Sequence, residues 1–333
     1  MPSKLTVGYI ITLAATTFFF SAQAQQTING TSVNGGQIFS RVGVPFLLIA
    51  PDARAAGMGD SGVATSPDET SIHWNPAKMA FIENEVGANF SYAPWLRNLT
   101  SDTNLAYLSS HCHIDDKNTI GLSLRYFTLG TIQLTDANAN SLGTYNPSEF
   151  ALDGAFARRF TTNFSMGIAM RYIRSNFMND QITNRQLSHA ATGFGVDVSG
   201  YYKDEATFLG KETDFAAGIN ISNIGPSISY QTNGAEYKLP TNLRIGGAAD
   251  IHLDTENKLT FSLDLNKLLV SDAANNTTSV ASSIVNSFGN TGGLRTITYS
   301  LGAEYWLKQQ FALRLGYFHE DQSVGNRQFV TTG

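Results

Sequence analysis

With 22 Lys and Arg against 27 Asp and Glu, the 333-residue chain carries a formal net charge of -5, which leaves no basic footprint for nucleic acid. Its one cysteine, Cys112, cannot close an internal disulfide, and only 15% of its residues are charged. Gly 30, Tyr 13 and Phe 21 at a mean hydropathy of -0.12 suit strands that are apolar on one side only.

Lys4, the apolar run 5–20 and the small-x-small pair Ala22-Gln23-Ala24 predict a secretory signal peptide over 1–24, with the mature chain starting at Gln25. No later stretch approaches the about 18 apolar residues that a membrane helix requires. The exported chain is therefore periplasmic, extracellular or an outer-membrane barrel. Residues 25–36 are polar and rich in Gly and Asn, a loose periplasmic lead-in. Over 37–83 no alternation is visible; the stretch reads as short helices and turns, with Asn75-Pro76 as a helix start. An apolar segment of this length ahead of a barrel is best housed inside it, as a plug.

From 84 to 333 the character alternates residue by residue. Phe164, Met166, Ile168, Met170 and Tyr172 point one way, and Asn163, Ser165, Gly167, Ala169 and Arg171 the other; a period of two is a strand. The same holds for Ile120, Leu122, Leu124 and Tyr126, for Leu259, Phe261, Leu263 and Leu265, and for Tyr299, Leu301, Ala303 and Tyr305. About eleven such segments follow one another, and the connections alternate tight and long. Tight turns follow Ile114, Phe160, Leu253 and Leu307, while 130–148, 176–189, 223–241 and 271–295 are long. A soluble sandwich also alternates, but this rhythm of connections belongs to an up-and-down antiparallel outer-membrane β-barrel. The stretch 201–213 breaks it, reading as a longer connection where a short turn is due.

Cys112 shares a face with Leu108 and Ile114. Tyr92, Trp95, Tyr201, Tyr202 and Trp306, near strand ends, suit interfacial girdles. Arg159 and Arg171 fall on the polar face, within reach of carboxylates such as Asp153 and Asp197; Arg158 and Arg174 could meet lipopolysaccharide phosphates. A twelfth strand starts near Arg327. Bacterial single-chain barrels close with an even strand number, and no terminal aromatic is present, so the sequence is expected to stop at Gly333 before its barrel closes.

Three motifs invite chemistry. Gly57-x-Gly59-x-x-Gly62 matches a dinucleotide fingerprint, but Pro51-Asp52-Ala53-Arg54 ahead of it is no buried strand, and tight turns explain the glycines. His111 and His113 face one side and Cys112 the other, so the three cannot converge on one metal; the two histidines offer at most half a site. Ser109 and His111 share a face and suggest the serine and histidine of a lipopolysaccharide deacylase, without a discernible third group to orient the base. The reading is therefore non-enzymatic, with no cofactor and no metal.

The run Pro51-Asp52-Ala53-Arg54-Ala55-Ala56-Gly57-Met58-Gly59-Asp60-Ser61-Gly62 and the element Ser71-Ile72-His73-Trp74-Asn75-Pro76-Ala77-Lys78 closely resemble the PorV family, outer-membrane barrels of the type IX secretion system. The resemblance extends to Gly316-Tyr317-Phe318-His319-Glu320 and Gly325-Asn326-Arg327-Gln328-Phe329. Asn75-Pro76-Ala77 also looks like the plug segment of FadL-type fatty-acid transporters. The resemblance implies a FadL-like barrel of fourteen strands, the last of them missing here, with Gly57, Gly59, Gly62, Trp74, Asn75 and Pro76 in its plug. It further implies an integral outer-membrane protein whose long loops face the exterior and bind the C-terminal signal domain of cargo leaving an SprA-like translocon. Delivery to a PorU-like sortase would follow. A FadL-like transporter of hydrophobic small molecules is the alternative, and lipopolysaccharide deacylation a third reading.

Overall fold

The computed structural model describes residues 42–95, 102–136, 138–177, 188–232, 234–270, 279–289, 296–322 and 325–333. The expected signal peptide, the start at Gln25 and the lead-in lie outside them. Twelve strands form one antiparallel sheet: β1 (Val86–Pro94), β2 (Asn104–His113), β3 (Asn118–Thr128), β6 (Ser148–Arg159), β7 (Phe164–Asn176), β8 (Ala191–Phe208), β9 (Lys211–Ile224), β12 (Asn242–His252), β13 (Lys258–Leu268), β14 (Ile297–Leu307), β15 (Phe311–His319) and β16 (Gln328–Thr332). Each pairs with the next along the chain, the up-and-down order expected. The eleven alternating segments and the twelfth strand near Arg327 are all present. β1 and β16 are the two edges and do not pair with each other. Two small hairpins decorate the long connections: β4 (Ile132–Thr135) with β5 (Ser141–Tyr145), and β10 (Ile228–Ser229) with β11 (Glu236–Tyr237).

Burial decides between a soluble sandwich and a lipid-facing sheet. Along β7, Met166, Ile168 and Met170 are exposed, whereas Ser165, Gly167, Ala169 and Arg171 are buried. Met170 is 66% exposed and the neighbouring Arg171 only 4%. The same inversion runs through β3, where Ile120, Leu122 and Leu124 face out and Thr119, Ser123 and Arg125 face in. A water-soluble chain hides its apolar side chains and leaves charges outside. Here the apolar side is the outer one, as in strands that lie against acyl chains.

Tight turns explain themselves locally. Asp115 Oδ1 accepts the Lys117 and Asn118 amides at 2.8 and 2.9 Å, and Asp254 Oδ1 accepts the Glu256 and Asn257 amides, both at 2.8 Å. These are Asx turns, the reason Asp begins each of them. The expectation for 201–213 is overturned. β8 continues to Phe208, β9 starts at Lys211, and Phe208 pairs with Lys211 across the two-residue turn Leu209-Gly210. Both turn residues have positive φ, 51° and 75°, as a type I′ hairpin turn requires. The charged stretch Lys203-Asp204-Glu205 carries no period-two signal, so the strand was invisible in sequence.

Three of the five girdle residues are also corrected. Tyr201 shares the parity of Asp197 and Ser199 and is 2% exposed, packed on Phe81 with ring centroids 5.7 Å apart. Neighbours on a strand face opposite ways, so only Tyr202 of that pair faces out. Trp95 packs against a buried cluster on the inner face, and Trp306 is half-buried beneath the Arg314 guanidinium, 5.8 Å from its ring centre. Tyr92 and Tyr202 are exposed.

The inner face is covered by 42–82. This segment contains a 3₁₀ turn at Pro45–Leu48, α1 (Ala53–Gly57), α2 (Ser71–Trp74) and a 3₁₀ turn at Pro76–Phe81. The Asn75-Pro76 start signal is realised: Asn75 Oδ1 accepts the Ala77 amide at 3.1 Å while Pro76 opens the turn. Apolar clusters glue the segment to the wall, with Phe46 and Leu47 on Leu105, Phe127 and Ile173, and Ile72 and Met79 on Tyr107 and Ala169. Among the described residues, no helix is long and apolar enough to cross a membrane. Within the Asn/Ser/Thr-rich connection 271–295, the described residues include the helix α3 (Val280–Gly289).

Candidate functional site: the covered inner face and its cavity

The helical segment is held to the wall by polar contacts spread over many strands. Asp52 caps α1 through the Ala55 amide at 2.8 Å and accepts from Trp74 Nε1 at 2.7 Å, tying α1 to α2. Asp264 of β13 accepts the Gly62 and Val63 amides at 2.7 and 2.9 Å. Asn75 Nδ2 donates to Val63 O and to Gly200 O of β8, both at 3.0 Å. Ser165 Oγ of β7 donates to Ala77 O at 2.7 Å, and Asn220 Nδ2 of β9 to Trp74 O at 3.0 Å. Lys78 Nζ donates to Gly62 O at 2.8 Å and Thr65 Oγ1 at 3.1 Å, closing the segment on itself.

An ion network pins the far edge. Arg54 meets Asp68 at 2.8 Å and Glu304 of β14 at 2.9 Å, and Glu304 also accepts from Arg314 of β15 at 2.7 Å. Burial works to raise the Asp68 pKa, but the Arg54 and Lys78 charges and the Thr70 hydrogen bond outweigh it and hold the carboxyl at about 2. Within the wall itself, Arg171 pairs with Asp153 at 2.5 Å and Asp197 at 3.2 Å. The polar-face placement of Arg171 and its two carboxylates follows the sequence expectation. Arg159 lies at the short-turn end, over the Phe81 ring and bonded to Asp116 O.

The three glycines of the fingerprint serve packing. Gly59 has φ 69° and its amide donates to Thr331 Oγ1 at 3.0 Å. A Cβ on Gly62 would overlap the Trp74 ring, and the Gly62 amide already belongs to Asp264. The Gly62 and Val63 amides thus cradle a carboxylate of the same chain, and the Gly59 amide a hydroxyl.

His111 and His113 do lie side by side, ring centroids 6.0 Å apart. His111 Nε2 donates to Asn84 O at 3.0 Å, and His113 Nε2 to Ile82 O at 2.9 Å. His113 Nδ1 accepts from Thr119 Oγ1 at 2.9 Å. The pair thus holds the end of the helical segment, and among the described residues no group of three or more His, Cys, Asp or Glu could hold a metal. Ser109 Oγ is buried without a hydrogen-bond partner, so it makes no nucleophile-to-base contact with His111. The serine-histidine pairing that a hydrolase needs is not formed.

Towards the long-connection end the segment leaves a cavity of about 720 Å³. Its walls are largely apolar, including Phe46, Trp95, Phe127 and Phe318, while Asp60, Glu149, Arg244, Lys267, Glu320 and Arg327 bring charge into it. Burial pushes the Asp60 carboxyl up to about 6. Sequence reasoning missed Arg54, Lys78, Arg244 and Asp264 as determinants. Asp264 alternates with Leu263 and Leu265 and so falls on the polar face of β13, but nothing in the sequence said what it would meet there.

The chain matches the family model described as Type IX secretion system protein PorV over residues 34–275. Among solved structures it is similar to the Pseudomonas putida toluene transporter TodX, with 11% identity, a TM-score of 0.46, and 84% of this chain and 87% of that one covered. It is also similar to the Ralstonia pickettii toluene transporter TbuX, with 10% identity, a TM-score of 0.38, and 81% and 86% covered. A Pseudomonas aeruginosa FadL homologue shares 11% identity at a TM-score of 0.38, with 85% and 96% covered. A search of curated proteins finds no match.

Proposed function

Because the chain belongs to the PorV family of type IX secretion system proteins, we propose that it is an outer-membrane shuttle for secreted cargo. It binds the C-terminal signal domain of cargo leaving an SprA-like translocon and hands it to a PorU-like sortase at the cell surface. The observation that carries this reading is the family match, together with an inner face filled by 42–82 beneath an apolar outer face. A barrel occupied in this way offers no wide aqueous path for a folded protein, so the protein works as a docking platform. In this reading the wall closes as a fourteen-stranded barrel with 42–82 as its plug. The long connections, carrying the β4–β5 and β10–β11 hairpins and α3, face the exterior and supply the docking surface.

Deleting the gene is expected to strand signal-domain-bearing cargo in the periplasm while other outer-membrane proteins assemble normally. Cargo that still reaches the surface overturns the reading. Affinity purification of the tagged protein is expected to bring translocon, sortase or cargo with it. The cavity favours one second reading, a FadL-like carrier of hydrophobic small molecules. Loss of hydrophobic-solute uptake on deletion, with secretion intact, would select it.

A further inference from the structure

We propose that the cavity at the long-connection end receives the free carboxy terminus of an exported protein, with its α-carboxylate taken by Arg244. The inference rests on the shuttle reading above and names where the cargo is gripped. Arg244 is 4% exposed, lines the cavity, and has no carboxylate within 4.0 Å among the described residues. Among the described residues its guanidinium makes one long hydrogen bond, 3.5 Å to His73 O, and lies 5.0 Å from the Trp74 ring. The other buried cations are better served. Arg171 has two carboxylates, Arg54 has two, Lys78 has a carbonyl and a hydroxyl, and Arg125 donates to Leu47 O at 2.9 Å. Of the carboxylates whose charge reaches Arg244, Asp197 is committed to Arg171 and the Asn223 amide and Asp264 to the Gly62 and Val63 amides, while Asp60 lies beyond ion-pair distance.

A buried guanidinium without an anion is costly, and a ligand carboxylate bound in its fork relieves that cost. One further group favours a peptide over an acyl chain as occupant. Asn266 Oδ1 is buried, accepts no hydrogen bond and belongs to a cavity-lining residue, so a ligand N–H can donate to it. Asp60 borders the same cavity with no ion-pair partner within 4.0 Å among the described residues, and its charge interacts at longer range with Arg244 and Arg327. An acyl chain would satisfy Phe46 and Trp95 but leave Asn266 unmatched; a short peptide tail, with backbone N–H groups beside its carboxylate, satisfies both.

The test uses the full-length protein in lipid nanodiscs and a signal domain of a type IX cargo, in two forms. One ends in its native carboxylate, and the other carries three extra C-terminal residues. The native form is expected to bind, the extended form to bind at least about tenfold more weakly, and Arg244→Gln to weaken the native form by a similar factor. Asp60→Asn supplies an independent cavity variant, and the ligand extension reports even where a protein variant folds poorly. Equal binding of the two forms by the wild type overturns the cavity inference and leaves the shuttle reading standing. No binding of either form overturns the shuttle reading itself. Palmitate that displaces neither form but itself binds in an Arg244-dependent manner, with the extension harmless, assigns the cavity to an amphiphile and overturns the peptide.

Discussion

Met170→Arg tests the claim on which the architecture depends, that the apolar side of the sheet meets lipid. Met170 is the seventh residue of the 13-residue β7 and is 66% exposed, opposite Gly154 on β6 and Val196 on β8. A strand of this length rises about 43 Å at about 3.3 Å per residue, and a tilt of about 40° reduces that to about 33 Å across the bilayer, so the middle residue sits near the midplane. If the outer face met water, so exposed a substitution would shift stability by no more than about 0.5 kcal/mol. Against hydrocarbon, Arg at the midplane costs about 2–4 kcal/mol and falls to about 0–1 kcal/mol near the interface.

Met166, four residues nearer the Thr161-Thr162 turn and 45% exposed, supplies the depth control. Met170→Arg is therefore expected to unfold well before the wild type in urea titrations in phospholipid vesicles, with Met166→Arg between them. Two variants that unfold together with the wild type would refute the lipid-facing assignment, because only depth in hydrocarbon separates them.

Three further outcomes are expected. Ala at Gly167 or Gly218 would place a Cβ on the backbone of Ala77 or Val63, whereas Ala at Gly154 lies 3.9 Å from the nearest atom, on Leu122. The first two should destabilise by about 1–3 kcal/mol and the last should stabilise by about 0.4–1 kcal/mol, read from heat-modifiability on cold gels. The Asp68 carboxyl, held at about 2 against an ordinary 3.8, contributes stability that is fully present above pH 3.8 and lost as pH falls towards 2. Asp68→Asn should forfeit about 2 kcal/mol at neutral pH and flatten the acid limb of a pH-dependent protease-sensitivity profile of 42–82. Leu209, at φ 51° in the β8–β9 turn, strains the backbone by about 1–2 kcal/mol, so Leu209→Asn should raise amide-exchange protection in that hairpin.

The strands were legible because one physical rule, alternation, acts on every residue of them. Where side chains on both faces are polar the rule goes silent, which is why Lys203-Asp204-Glu205 concealed the end of β8. α3 was hidden for the opposite reason. Its Ser283 and Ser287 turn inward and its Val285 and Phe288 outward, a helical stripe whose polarity is reversed and which reads as a Ser/Asn-rich loop. The aromatic residues Trp95, Tyr201 and Trp306 failed as girdles because nearness to a strand end says nothing about face; parity does. The glycine, Trp74 and Asn-Pro signals of 42–82 located the segment, but its partners on strands more than a hundred residues away, Gly200, Asn220 and Asp264, are set only by the register of the folded sheet.

The inner wall nevertheless carries a readable imprint of what covers it. Where the segment's backbone runs closest, the wall residue has no side chain: Gly167 against Ala77, Gly218 against Val63, Gly316 against Gly59. Glycine in mid-strand weakens a sheet through lost packing and greater chain entropy. A water-filled interior would give no reason to place it there, since a polar side chain would hydrate freely. Elsewhere the same inner parity carries Gly302 against Met58, apolar residues such as Leu105, Tyr107, Ala169 and Ile173 packed on the segment, and polar residues such as Asp264, which accepts the Gly62 and Val63 amides. The wall therefore combines positions hollowed for backbone, positions that pack on the segment's apolar side chains and positions that hydrogen-bond to it, and all three make sense with the segment seated. Sheet and segment form one core, so a variant that loosens 42–82 should lower the stability of the strands as well.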